Sequence, residues 1–266
     1  MNHIGSRGGK IIVLYAAAFI ILLALVYALF VLPTQWLKVE QIRNPIGLNL
    51  SILQISDLHV ERLRISPSAL SKHITRLKPD YIVITGDFTE LESQLLRLDS
   101  YLRMLEKHPI PTFAVLGNHD YQQRKVIRLI RLLRYRGIHL LRNESVRLPG
   151  FQLIGIDDYH TGKSNILQAF RMTDTQVPRV IITHDPNVVL SIRESYDYLM
   201  AGHLHGKQFA IPCFYKLRPM GELPAQGIYK GLHRNSYGTY YISKGIGQTG
   251  INLRFLVRSE VTMHYL

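Results

Sequence analysis

Five short apolar runs in this chain stop in the same way, on side chains that can hold a cation or move a proton. "LSILQISDLH" closes on Asp57 and His59, "DYIVITGD" on Asp87, and "PTFAVLGNHD" on Asn118 and His119. "RVIITHD" closes on His184, and "YLMAGHLH" on His203 and His205. Brief β-rich runs bounded by turn residues predict buried strands. "FQLIGIDD" and "GTYYISKGIG" have the same form. Between the runs, residues 67–77, 90–106 and 121–135 carry helical patterning, the last with many arginines. Strands alternating with helices define an α/β fold. Ligands of such sheets collect beyond the carboxyl ends of the strands, where all these groups fall.

The N-terminus imposes a second constraint. Ile11 to Leu32 is apolar throughout and is followed by Pro33. At 1.5 Å per residue such a run can cross a hydrocarbon layer roughly 30 Å thick. A cleaved signal peptide is the rival reading, but "VYA" at residues 26–28 is a poor cleavage site and apolar residues continue past it. The chain therefore divides into an N-terminal segment (1–10), a membrane anchor (11–32), a connector (33–49) and one large domain (50–266). Arg7 and Lys10 before the span nearly balance Lys38 and Arg43 after it. Lys10 abuts the span, which favours a cytoplasmic N-terminus and a domain outside the cytoplasm.

The strand-end groups read D-x-H, GD, GNHD, H and GHxH in order. Taken singly, Asp57 or Asn118 suits a turn or a cap, and His184 suits a satisfied core. Together they resemble the calcineurin-like metallophosphoesterase family over most of residues 50–266. The resemblance implies an αββα sandwich of two mixed sheets flanked by helices. It also implies a two-metal centre in which Asp57, His59 and His205 hold one ion, Asn118, His184 and His203 hold the other, and Asp87 bridges. His119 is then a general acid or a donor to a phosphate oxygen, with Asp120 a candidate to orient its imidazole. Asp120, Asp157, Asp158 and Asp185 read as caps or supporting groups, and His139 and His160 as structural.

The chemistry suits these residue types. Carboxylate, carboxamide and imidazole favour Mn, Fe or Zn, and a single cysteine, Cys213, excludes a thiolate cluster. Two divalent ions bring four positive charges, and Asp57 and Asp87 return two negative ones. The remainder attracts a phosphate and lowers the pKa of a bridging water, whose hydroxide can attack phosphorus. Glycines before Asp87, Asn118 and His203 suit sharp turns toward the site.

"GIDD", "GHLHGKQFAIP" and "SKGIGQTGINLRF" are similar to the membrane-associated bacterial branch of the family. That branch contains phosphodiesterases and a subgroup cleaving UDP-2,3-diacylglucosamine in lipid A synthesis. Lys207 replaces a glycine usual after GHxH, and "THDP" replaces "SHNP"; neither change touches a proposed ligand.

The net charge of +13, with 32 Lys and Arg against 19 Asp and Glu, favours anionic partners. Arg124, Arg128, Arg131 and Arg134 fall at helical spacing, with Val126, Ile127, Ile130 and Leu133 marking an apolar side. Such a helix suits either anionic headgroups or a solvated face. After His205, Lys207, Lys216, Arg218, Lys230 and Arg234 interleave with Phe209, Phe214, Tyr215 and Tyr229. The expected activity is a membrane-anchored phosphohydrolase acting on a phosphodiester or pyrophosphate, with a lipid-linked substrate. A nuclease or nucleotide phosphodiesterase is a second reading, which the span disfavours. A non-catalytic scaffold is a third, and the complete ligand set argues against it.

Overall fold

The computed structural model describes residues 4–211 and 220–266. Cys213, Phe214, Tyr215, Lys216 and Arg218 lie outside the described residues. Among the described residues the strands are β1 (Lys38–Arg43), β2 (Ser51–Ile55), β3 (Tyr81–Thr85), β4 (Thr112–Val115), β5 (His139–Leu140), β6 (Glu144–Leu148), β7 (Phe151–Gly155), β8 (Arg179–Ile182), β9 (Tyr198–Ala201), β10 (Gly231–Arg234), β11 (Thr239–Ile242) and β12 (Glu260–Tyr265). They form two six-stranded sheets, ordered β1-β12-β2-β3-β4-β5 and β10-β11-β9-β8-β7-β6. Both are mixed. β12 runs antiparallel to β2 but parallel to β1, and β10 and β6 pair antiparallel at the edges of the second sheet.

The near-continuous apolar runs follow from burial of both faces of the inner strands. Alternate residues point opposite ways along a strand. Ile52, Val83, Phe113 and Val115 therefore meet Leu153, Val180, Ile182 and Met200 of the second sheet. Leu53, Ile55, Ile82, Ile84 and Ala114 face the helices on the first sheet's outer side. One polar chain crosses the dry layer between the sheets. Gln54 donates to Thr85 Oγ1 (3.0 Å) and to the Ala201 carbonyl (2.9 Å), while His264 bridges Gln54 Oε1 (3.0 Å) and the Tyr198 hydroxyl (2.9 Å). Such a network is tolerated because its members are paired.

The N-terminal helix α1 (Ile4–Val26) passes through a π-helical turn at Tyr27–Val31 into α2 (Leu32–Gln35), with Pro33 in the first turn of α2. Gly9–Gln35 is 27 residues long, apolar enough to cross a membrane, and not buried against the domain over its apolar window. Helix α3 (Pro67–Leu77) matches the expected span. Ser66 caps it by accepting from Ala69 N (3.2 Å), and Pro67 needs no partner at its start. Helix α4 (Leu95–Glu106) begins later than residue 90, because the chain after β3 first completes the site loop and a 3₁₀ turn at Glu92–Gln94. The helix expected over 121–135 starts only at Val126 (α6, Val126–Tyr135) and is preceded by a separate single turn, α5 (Asn118–Tyr121). The apolar face of α6 is Leu129, Ile130 and Leu133, whereas Ile127 is exposed. Arg124, Arg128, Arg131 and Arg134 are exposed on the other side.

The segment 33–49, read from sequence as a connector, contains β1. Its six residues register with Glu260–Tyr265 of β12. A chain beginning at residue 46 should therefore unfold about 5–10 °C below one beginning at residue 36, taking a few kcal/mol for the edge strand at roughly 2–4 °C each. Equal thermal midpoints would show that β1 adds no stability.

Candidate metal centre

The strand-end groups sit in loops with an unusual backbone. Asp57 (φ 56°), His59 (φ 38°), Asp87 (φ 55°), His203 (φ 72°) and His205 (φ 47°) are all left-handed. Non-glycine residues rarely adopt this conformation, and each costs of order 1–3 kcal/mol unless the surroundings impose it. The surroundings here are hydrogen bonds from loop to loop. Asp57 N donates to the Gly86 carbonyl (3.1 Å), His59 N to the Asp87 carbonyl (3.0 Å), and Gly247 N to the Asp57 carbonyl (2.8 Å). His203 N donates to Asp57 Oδ1 (3.0 Å), which ties the second sheet's loop to the first.

Of the three glycines expected at sharp turns, only Gly86 is left-handed (φ 83°). The other two are needed for space. A Cβ on Gly117 would lie 2.2 Å from Asp87 Oδ1, and one on Gly202 would lie 1.9 Å from Ser56 Oγ.

The structure brings the seven expected ligand residues together as two donor groups. Asp57, His59, Asp87 and His205 form one, with donor atoms within 4.8 Å of one another; Asp87, His184 and His203 form the other. Asp87 belongs to both. Its Oδ2 lies 3.3 Å from His59 Nε2 and 3.2 Å from His184 Nε2. Asn118 Oδ1 joins the second group, 3.1 Å from His184 Nε2. His184 Nδ1 lies 2.8 Å from the Thr85 carbonyl and His205 Nδ1 lies 3.3 Å from the Gly247 carbonyl. A carbonyl only accepts, so each Nδ1 carries a proton and each Nε2 faces inward.

Burial opposes charge on all these groups; it prevails at Asp57, whose carboxyl is raised, and at His205, whose imidazole is lowered, while neighbours overcome it at Asp87, His59 and His184. Burial pushes the Asp87 carboxyl up, but the charges and hydrogen bonds of His184 and His59 outweigh it and hold it well below the ordinary carboxylate range. His59 is opposed by burial and raised by Asp87 and Glu61, to about 10. Burial likewise opposes the charge on His184, which Asp87 and Asp57 nevertheless drive well above the imidazole range. Burial, with the nearby charge on His184, lowers His203 to about 3. His59 and His184 thus set positive charge on either side of Asp87. Asp57 Oδ2 and His203 Nε2 are buried without a hydrogen-bond partner among the described residues. One buried orphan acceptor in each donor group fits a pair of divalent cations, with nitrogen and oxygen donors of the kind Mn, Fe and Zn accept.

His119 belongs to neither donor group. Its side chain is 22% exposed at the rim, with its ring edge-on to His59 at 5.0 Å between centroids. Its Nδ1 is 3.4 Å from Glu90 Oε1 and 3.2 Å from Gln122 Oε1. Both neighbours of Nδ1 present acceptor oxygens, which makes Nδ1 the donor, and Nε2 lies 3.5 Å from Thr249 Oγ1. Asp120 does not orient this imidazole. Its carboxylate accepts from four backbone N–H groups, those of Gly117 (2.9 Å), Asp87 (3.0 Å), Phe88 (2.8 Å) and Thr89 (3.2 Å). Asp185 caps the turn at Asn187 (2.9 Å), and Asp157 receives the Tyr121 hydroxyl (2.6 Å) and Arg142 Nε (3.0 Å). His139 is an exposed strand residue stacked on Phe113. His160, read as structural, is exposed with its ring 5.3 Å from His203, and with Asp185 it forms a further donor group. Sequence reasoning missed Glu61 and Glu90, whose carboxylates lie 3.6 and 3.7 Å from His59 Nδ1 and are joined by Arg62. Neither ends a strand, so no local pattern marks them.

A mixed two-sheet sandwich with donor groups for cations at its strand ends defines a class. Residues 50–207 match the calcineurin-like phosphoesterase family, and the chain belongs to it. It is a metal-dependent phosphoester hydrolase, of a family that uses a binuclear divalent metal centre. The chain is 40% identical to the metallophosphoesterase YkoQ of Bacillus subtilis (strain 168) over 232 residues, covering 84% of this chain and 85% of that one. It is 29% identical to the phosphodiesterase YaeI of Escherichia coli (strain K12) over 224 residues, 80% of each. A Danio rerio transmembrane protein with metallophosphoesterase domain is 29% identical over 241 residues, or 82% of this chain and 53% of that longer protein.

The Asp120 carboxylate is the fastener of the Asp87 turn. Asp120→Ala leaves four buried N–H groups unpaired and should destabilise the domain by about 3–5 kcal/mol in urea unfolding, at about 1 kcal/mol or more for each. A loss under about 1 kcal/mol, the ordinary scatter of single substitutions, would show that the turn holds itself.

Proposed function

We propose that the protein is a membrane-anchored phosphodiesterase or pyrophosphatase acting on a lipid-linked substrate. Asp57, His59 and His205 would hold one divalent cation and Asn118, His184 and His203 a second, with Asp87 available to both. The observation that carries this reading is the membership of Asp87 in both donor groups. Bound cations supply the charge that polarises a phosphoryl group and activates water at neutral pH.

The chain's own residues supply position and a proton. His119, at the rim and outside both donor groups, protonates the leaving oxygen from Nε2 in its imidazolium form, which carries a proton on each ring nitrogen. Glu90 holds the Nδ1 proton and so fixes the ring plane. Lys207 lies 3.8 Å over the Tyr229 ring, just past His205, where a cation and an aromatic face suit a phosphate bearing an apolar or ring substituent. The membrane part of the reading is supported by the exposed apolar helix.

Purified wild-type protein should contain two divalent ions per chain by elemental analysis. Asp87→Ala should bind less than one and lose turnover, with its circular dichroism unchanged. Full activity after exhaustive chelation would refute the metal assignment.

His119→Ala should keep both ions yet slow cleavage of an alkyl phosphodiester by about 10²–10⁴-fold, the usual range for a general acid. A nitrophenyl ester, whose leaving group needs little protonation, should lose less. Glu90→Gln should show the same ester dependence with a smaller loss. Equal losses for both esters would remove the leaving-group role, and loss of an ion from the His119 variant would make it a ligand.

A further inference from the structure

The apolar helix does not end in a free linker. The Phe30 carbonyl accepts from Arg254 N (3.0 Å), and the Pro33 carbonyl from Ser259 N (2.9 Å). The Phe30 ring stacks on Phe255 with centroids 5.0 Å apart. Thr34 is fully buried, and its hydroxyl receives Arg64 Nη1 (3.0 Å). Arg258 lies 3.8 Å over the Trp36 ring. The loop 248–259 is therefore seated on the last turns of the helix, and its contact begins at Phe30, before the apolar run ends at Leu32.

The same loop is bonded to the catalytic side. Gln208, three residues past His205, donates from Nε2 to the carbonyls of Thr249 (3.0 Å) and Ile251 (2.7 Å). Its own carbonyl accepts from Phe255 N (2.9 Å). Thr249 Oγ1 then reaches Glu90 (3.4 Å) and His119 (3.5 Å). An unbroken series of contacts leads from Phe30 through Phe255, Gln208 and Thr249 to His119.

Large apolar side chains at this junction face outward. Trp36 is 58% exposed, Ile251 64% and Leu256 68%. Leu256 is also left-handed (φ 57°). Single exposed apolar residues are ordinary. Here Ile251 and Leu256 lie on the loop that grips the helix and Trp36 lies at the helix's end, the helix is exposed over residues 9–29, and Arg64 and Arg258 lie at the same level. A tryptophan and cations where a span leaves the hydrocarbon is the composition of a membrane interface.

We propose that Trp36 and the loop 250–258 form a platform seated in the headgroup layer of the leaflet from which the helix emerges. The mouth of the metal centre then opens at that surface, and the substrates are phosphodiester-bearing amphiphiles of that leaflet. The proposal rests on the membrane-anchored reading, and the test separates the two.

Full-length protein carrying Cys213→Ser receives one cysteine at a time: Ile251→Cys, Leu256→Cys, Leu167→Cys on a distant exposed surface, or Leu22→Cys within the span. Each is labelled with an environment-sensitive fluorophore and reconstituted in phosphatidylglycerol–phosphatidylethanolamine vesicles containing nitroxide-bearing lipids. Retained turnover of a nitrophenyl phosphodiester verifies folding of each variant. Shallow nitroxides should quench the labels at 251 and 256 about twofold or more, deep nitroxides should quench the label at 22, and neither should quench the label at 167. Quenching at 22 with none at 251 and 256 overturns the platform and leaves the anchor standing. No quenching at 22 overturns both. Labels at 251 and 256 that are shielded from an aqueous quencher yet untouched by nitroxide lipids would place a second protein copy on the patch, and would also overturn the proposal.

Discussion

A carboxylate without solvent must be matched by charge, and Asp87 is 1% exposed. His59 approaches it from the first sheet and His184 from the second. No single strand could supply that match. The two sheets must present their carboxyl ends at one edge of the sandwich, and the loops must bend inward there. The mixed order of the strands and the left-handed loop residues both serve this convergence.

The layer beneath the site keeps the two halves level. Gln54 leaves β2 three residues before Asp57 and donates to the carbonyl of Ala201, two residues before His203. Tyr198 and His264 extend the chain of contacts. A slip of one sheet against the other would break these bonds. Fixing the sheets under strained loops is how a protein keeps a donor set assembled against its own repulsions.

Much of this was legible in the sequence, because a buried strand ending in a ligand residue leaves a mark at both scales. The apolar run sets the strand, and the polar stop sets the site. What escaped had no such mark. "KVEQIR" is polar on alternate positions and short, so β1 read as part of a connector, and only its pairing with β12 makes it a strand. The helix expected at 121–135 starts late because Asn118–Tyr121 is held as a separate turn, with Asp120 spent on backbone N–H groups. Helical spacing put Ile127 on the apolar side, whereas Leu129 is buried and Ile127 is exposed. Glu61 and Glu90 act through contacts between loops about 30 residues apart, which a linear pattern does not record.

The place of β12 has a consequence for synthesis. It lies between β1 and β2, although about 200 residues separate it from either. Both neighbours are made early: β2 waits with an open edge, and β1 without any partner, until residues 260–265 leave the ribosome. Sheet assembly is therefore a late event, and the chain must be carried through translation with β-edges exposed. If the N-terminal helix is already in a bilayer by then, one of those waiting strands is tethered and the closing strand has to find it there. A chain stopped short of residue 260 would leave β2 with an open edge and residues 38–43 unpaired, a form that chaperones and proteases distinguish readily from the finished domain.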